Sequence, residues 1–212
     1  MLVVGLTGSI GMGKSTAAAH LRARGVPVFD ADAEVHDLYR GEAATGIEAA
    51  FPGTTGPEGV DRQRLSEALA RETGGFSRLE AIVHPLVRRR EKAFLIRSAA
   101  SGADIAVLDV PLLYETGLDA ALDAVIVVSS DADLQRQRVL ARPGMTPDKL
   151  AQILTRQMPD GEKRRRAHFV VDTNGPPEAG WRQLDAILDA LSGRRAVAFA
   201  RHWATAEPPP QK

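Results

Sequence analysis

The chain has 212 residues, enough for one domain carrying a small inserted subdomain or lid, and 44% of them are hydrophobic, enough for a real core. Its 27 basic and 27 acidic residues cancel, which argues against a protein that coats nucleic acid, and the lack of cysteine excludes a disulfide framework, a thiol nucleophile and a Cys-ligated metal. No apolar run approaches a membrane span and the first residues read as a strand, so the expectation is a cytoplasmic protein with neither a membrane nor a nucleic-acid partner, working as a monomer or small homo-oligomer.

Leu2-Val3-Val4-Gly5-Leu6-Thr7 is a short apolar run that predicts a buried strand. It leads into Gly8-Ser9-Ile10-Gly11-Met12-Gly13-Lys14-Ser15, which has the G-x-x-x-x-G-K-[ST] spacing of a phosphate-binding loop. Lys14 to Arg24 follows as a helix, with Ala17, Ala18, Ala19 and Leu21 as good helix formers. Gly8, Gly11 and Gly13 let the backbone fold into a nest of N–H groups, and the helix N-terminus adds its partial positive charge. Gly11, Met12, Gly13, Lys14, Ser15 and Thr16 are therefore the expected ATP contacts. Lys14 is expected to reach the β- and γ-phosphates, and the Ser15 hydroxyl to ligate Mg2+.

Gly25 stops the helix, and Val26-Pro27-Val28-Phe29 reads as a second strand ending in Asp30-Ala31-Asp32. In a doubly wound sheet the carboxyl ends of the strands form the ligand crevice, which predicts both carboxylates beside the glycine loop. The competing reading is an Asp that only caps a helix from Ala33 to Arg40, and it weighs more on Asp30 than on Asp32. Residues 41–60 are turn-rich around a short helix near Ile47 to Phe51, and Asp61 reads as the N-cap of a helix from Arg62 to Arg71. Leu79, Ile82, Val83, Leu86 and Val87 keep helical spacing, and Pro85 either kinks that helix or begins a new one. Arg88-Arg89-Arg90 cannot all face one way, so part of the run is expected in solvent.

Ile105-Ala106-Val107-Leu108-Asp109 predicts a third strand whose terminal acid helps hold magnesium, directly or through water. Ala124 to Val128 is a near-continuous β-branched run, the pattern of a parallel strand covered on both faces. A helix from Asp131 to Ala141 carries Arg136 and Arg138, with Arg142 just beyond, and a further helix starts at Thr146 or Pro147 and runs to about Gln157. Arg138 and Arg142, four apart, are expected to share a helix face near the Pro143-Gly144 break, and arginines on such a hinged helical pair fit a phosphoryl-transfer lid, against a solvated face as the alternative. Lys163-Arg164-Arg165-Arg166 either adds to that lid or is exposed. His168 to Asp172 is a fifth strand, Trp181, Leu184, Ile187, Leu188 and Leu191 mark a packed helix, and residues 195–205 are compatible with a last one. His20, His36 and His202 lack metal spacing and read as structural or surface residues.

The glycine loop, Asp30-Ala31-Asp32, Leu79-Glu80-Ala81-Ile82-Val83-His84-Pro85, Pro111-Leu112-Leu113-Tyr114-Glu115, Gln157-Met158-Pro159, Lys163 and Val170-Val171-Asp172-Thr173-Asn174-Gly175 together resemble the dephospho-coenzyme A kinase family from residue 2 to about 190. The resemblance implies an α/β, three-layer P-loop kinase fold: a five-stranded parallel sheet with helices on both faces, a helical substrate-binding insertion and a lid. It divides residues 1–205 into a core (1–40, 103–135, 168–205), a substrate-binding subdomain at about 41–102 and a lid at about 136–167, with 206–212 as a disordered tail. The implied reaction is ATP-dependent phosphorylation of the ribose 3′-hydroxyl of dephospho-CoA. Asp32 is the implied base, and Lys14, Arg138 and Arg142 neutralise the transferring group. Asp30, His84, Pro111 and Leu112 contact the acceptor, and Ser15 with Asp109 (through water) holds Mg2+. Three positions depart from the pattern: Ser9 for a Gly, tolerable if its φ is negative; Ile153 for a frequent Arg in the lid; and Thr173 for a common Asn, which leaves adenine contacts near 173–175 open. The rival readings are another P-loop kinase acting on a nucleoside monophosphate or sugar acid, a GTP-dependent switch, which lacks its Asn-Lys-x-Asp string here, and an inactive scaffold.

Overall fold

A computed structural model describes residues 1–204; the expected disordered tail lies outside them. The chain forms two compact units, one of Met1–Phe29 with the chain from Leu95 onward, the other Asp30–Phe94. The first unit opens with β1 (Leu2–Thr7), all six residues buried. The glycine loop follows, then α1 (Lys14–Ala23), which buries Ala17, Ala18 and Leu21. Gly25, at φ 79°, ends the helix in a conformation open to glycine. β2 (Val28–Asp30) starts two residues later than its apolar run, and Asp30 belongs to it.

The second unit begins with α2 (Ala31–Arg40), two residues earlier than the expected start. The reason is local: Asp30 Oδ1 accepts from the Ala33 N–H at 3.0 Å and so caps the helix from just before Ala31. α3 (Ala44–Ala50) is followed by β3 (Thr55–Gly56) and β4 (Gly59–Val60), a two-residue antiparallel hairpin inside the stretch read as turns. α4 (Arg62–Arg71) has its expected bounds, with Asp61 accepting from the N–H groups of Gln63 and Arg64. α5 (Gly75–Ala100) runs unbroken through Pro85, so no new helix begins there. Leu38, Ile47, Phe51, Leu65, Leu69, Leu79 and Val83 form this unit's own core. Of the three arginines, Arg88 and Arg89 are exposed; Arg89 pairs with Glu42, and Arg90 with Glu34 at 2.7 Å and Asp37 at 3.3 Å.

The chain returns to the first unit with β5 (Ile105–Asp109) and β6 (Ala124–Ser129), the latter buried along its whole length. Then come α6 (Ala132–Leu140), α7 (Pro147–Leu154, capped by Thr146), α8 (Asp160–Arg166), β7 (Phe169–Asp172) and α9 (Pro177–Leu191). α7 stops three residues before the expected Gln157, and α8 had no apolar periodicity to announce it. Phe199–Trp203 is one turn of π-helix rather than a full last helix. The five parallel strands are ordered β2-β5-β1-β6-β7. Registers such as Val4↔Val107 and Leu6↔Ile126 align β1 between β5 and β6, so the loop after β1 leaves from the interior of the sheet. Below it, Val4, Leu6, Ala18, Leu21, Ile126, Val128, Leu184 and Leu191 close the core, and fully burying one such leucine contributes about 1.5–3 kcal/mol.

Candidate active site

Two glycines of the loop after β1 adopt the left-handed conformation: Gly11 at φ 79° and Gly13, the residue before α1, at φ 86°. Gly8 serves close approach instead, since a Cβ there would lie 2.4 Å from Val128 Cγ2 and 2.7 Å from its carbonyl oxygen. No non-glycine residue among those described has a positive φ, which meets the condition set for Ser9. Met12 is buried, and its thioether accepts from the Ser130 N–H and hydroxyl at 3.0 and 3.1 Å. Ser15 and Thr16 are exposed in the first turn of α1.

Lys14 Nζ stands 2.5 Å from Asp109 Oδ1, and Asp109 is only 2% exposed at the end of β5. Two of the predicted site residues, 95 positions apart, therefore meet. A hydroxyl at Ser15 and a carboxylate at Asp109 are hard oxygen donors of the kind magnesium takes, the rest of its shell coming from water and phosphate. They fit that ion.

Arg138, on α6, donates from Nη2 to the Thr173 carbonyl at 2.7 Å, and Thr173 Oγ1 in turn donates to the Met12 carbonyl at 3.0 Å. Arg138 is thus brought to the loop through the segment after β7. Arg142 lies beyond the end of α6 and is exposed, so it does not share a helical face with Arg138; Arg136 is exposed as well. Asn174 Oδ1 accepts from the Asp131 N–H at 2.8 Å, joining the chain after β7 to the start of α6.

The segment after β5 is fixed from two sides. The Pro111 carbonyl accepts from Thr7 Oγ1 at 3.1 Å and from Lys163 Nζ at 3.2 Å. Lys163 is fully buried and pairs with Glu115 Oε1 at 3.0 Å, so for this residue the structure overturns the reading of the basic run as exposed. Arg166 stacks its guanidinium 4.5 Å over the Tyr114 ring and pairs with Asp119 at 2.8 Å, while Arg164 and Arg165 are exposed. Burial pushes the Tyr114 phenol up to about 12, with Asp119 adding to the rise and Arg166 opposing it. Leu112 is half-buried, and its carbonyl accepts from the Thr116 hydroxyl.

In the other unit, Asp30 caps α2 through Oδ1, while Asp32 is exposed in the first turn of α2. His84 is exposed on α5. His36 pairs with Arg62, while His20 in the first unit stacks on Trp181 and bonds Asp185, all structural contacts as expected. Gln135, Gln157, Glu115 and Lys163 have roles near the loop that no local pattern gave; the signal for the last three was the Pro111-Leu112-Leu113-Tyr114-Glu115, Gln157-Met158-Pro159 and Lys163 pieces of the family pattern, and Gln135 had none.

The family model for dephospho-CoA kinase matches residues 2–178. A dephospho-CoA kinase of Rhodopseudomonas palustris strain HaA2 is 57% identical over 192 residues, covering 91% of this chain and 96% of that one. One from Agrobacterium fabrum strain C58 is 54% identical over 191 residues, 90% of this chain and 98% of its own. Among solved structures, TT1252 from Thermus thermophilus superposes with a TM-score of 0.76 at 34% identity, covering 91% of this chain and 98% of that one. Dephospho-CoA kinase from Campylobacter jejuni shares the fold, with a TM-score of 0.68 at 21% identity over 90% of this chain and 96% of its own. With its phosphate loop, its Lys14–Asp109 pair and these relatives along nearly its whole length, the chain belongs to the dephospho-CoA kinase family.

Proposed function

We propose that this protein transfers the γ-phosphoryl group of ATP to the ribose 3′-hydroxyl of dephospho-CoA, giving CoA and ADP, the last step of CoA biosynthesis. The observation that carries the reading is Lys14, set by a left-handed glycine at the start of α1 and held against the buried Asp109 in a chain of this family. The 3′-oxygen attacks the γ-phosphorus, the bond to the β–γ bridging oxygen breaks, and ADP leaves. A ribose hydroxyl is a weak nucleophile, so an acceptor for its proton helps. Asp32 takes that role, an exposed carboxylate two residues past the end of β2 whose neighbour Asp30 supplies the helix cap. Asp30 orients the turn that carries it.

Loop amides from Gly11 to Thr16 and the Lys14 ammonium receive the phosphates. Arg138 and Arg142 add positive charge from the segment at about 136–167, which acts as the lid and keeps water from the γ-phosphate. Ser15, with Asp109 through water, would hold Mg2+, which would supply positive charge against the phosphates. Asp30, His84, Pro111 and Leu112 contact the acceptor.

The test is ADP formation from ATP with dephospho-CoA, adenosine, AMP or no acceptor. Turnover that depends on dephospho-CoA is expected; equal rates with AMP, or GTP use without any acceptor, would point to one of the rival kinases or a switch. Asp32→Asn is expected to keep the Kd for ATP while kcat falls by about two or more orders of magnitude. Near-normal kcat in that variant removes Asp32 from the base role.

A further inference from the structure

Ile10 sits in the loop between Ser9 and the left-handed Gly11, and both of its peptide groups are held by glutamines from distant parts of the chain. Gln135, 7% exposed on α6, donates from Nε2 to the Ile10 carbonyl at 2.8 Å. Gln157, in the link between α7 and α8, accepts from the Ile10 N–H at 3.1 Å through Oε1. The link is itself anchored. Glu115 Oε1 accepts from the Met158 N–H at 2.7 Å, and the same carboxylate is paired with the buried Lys163. A glycine-rich loop loses much backbone freedom when it closes on phosphate. A loop already held in one stance loses less on binding and binds more tightly.

We propose that Gln157 is a positioning residue for ATP: by holding the Ile10 amide it sets the stance of the glycine loop before nucleotide arrives. Gln157 is half-buried, and its partner is a loop amide one residue ahead of Gly11. It acts through the loop backbone, not on the reacting atoms. This inference rests on the loop being the ATP site.

Four measurements on the full chain test it, with Gln157→Ala and with Gln157→Met, which keeps length and loses the acceptor: the Kd for ATP by calorimetry, KM and kcat by steady-state kinetics, exchange of the Ile10 amide hydrogen by NMR, and the nucleotide-free thermal midpoint. In both variants the Kd and the KM for ATP are expected to rise about tenfold, the scale of one ordinary hydrogen bond, with kcat at saturating ATP within about twofold of wild type. The Ile10 amide is expected to exchange faster, and the nucleotide-free midpoint to stay within about 2 °C. An unchanged Kd, or a loss of affinity matched by a fall of more than about 5 °C in the midpoint, overturns the proposal, the latter reducing Gln157 to packing. Failure of the wild-type chain to bind ATP would instead sink the reading of the loop itself.

Discussion

Glu91 lies on α5 with 4% exposure, its carboxylate 3.2 Å from Arg88. Burial pushes its carboxyl above the ordinary glutamate range, and Arg88 offsets only part of that rise. The folded state therefore holds this proton more tightly than the unfolded chain. Stability is unaffected below the ordinary glutamate pKa, where both states are protonated, and falls as pH rises through the window up to the raised value. Glu91→Gln is expected to match wild type near the bottom of that window and to be the more stable protein at pH 7. Thermal midpoints across the acid-to-neutral range read this directly; parallel curves for the two proteins would rule it out. Asp109 shows the opposite use of a buried acid, neutralised by Lys14 at 2.5 Å. The sequence told these two apart only in part: Asp109 ends an apolar strand before a proline, a recognisable context, whereas Glu91 follows three arginines and looks like a surface residue.

Element boundaries were legible wherever a short-range signal sets them. Asp61 caps α4 through the N–H groups of Gln63 and Arg64, Thr146 caps α7, and Gly25 ends α1. Each is a bond or a dihedral within about three residues, which a sequence displays. Asp61→Ala is expected to cost about 1 kcal/mol in denaturant unfolding and Asp61→Ser to recover most of it; equal stability for all three proteins would deny the cap its role. Boundaries set by packing were not legible. α5 continues through Pro85 because Leu79 and Val83 before it and Leu95 after it are all buried, which outweighs a missing hydrogen bond. α8 is a helix with hardly any apolar residue, and its Lys163 is its buried residue.

On the scale of the whole chain, a ligand that binds only the native state stabilises it by mass action. ATP with magnesium at about 100 times its Kd adds about 2.7 kcal/mol, or roughly 5–11 °C in the melting of the unit that carries the loop. Lys14→Ala is expected to abolish that shift in calorimetry, and a full shift in that variant would argue that nucleotide binds elsewhere. Among the described residues no helix is long and apolar enough to cross a membrane.

The sequence alone determined the strand, loop and first helix, because phosphate binding there needs residues that are consecutive in the chain. It also determined the five strands, whose apolar runs are continuous, and the family, whose pattern pieces are scattered but recognisable. Only the tertiary structure decided what holds the loop. Gln135 and Gln157 lie 125 and 147 positions from Ile10, and Thr173 lies 161 from Met12. Nothing local marks such partners, since a glutamine or threonine has the same chemistry on a surface. Lys163 is the sharpest case: its neighbours in sequence are charged, with Arg164 and Arg165 exposed, and its burial comes from Glu115 and the Pro111 carbonyl, about fifty residues away, which the fold alone brings to it.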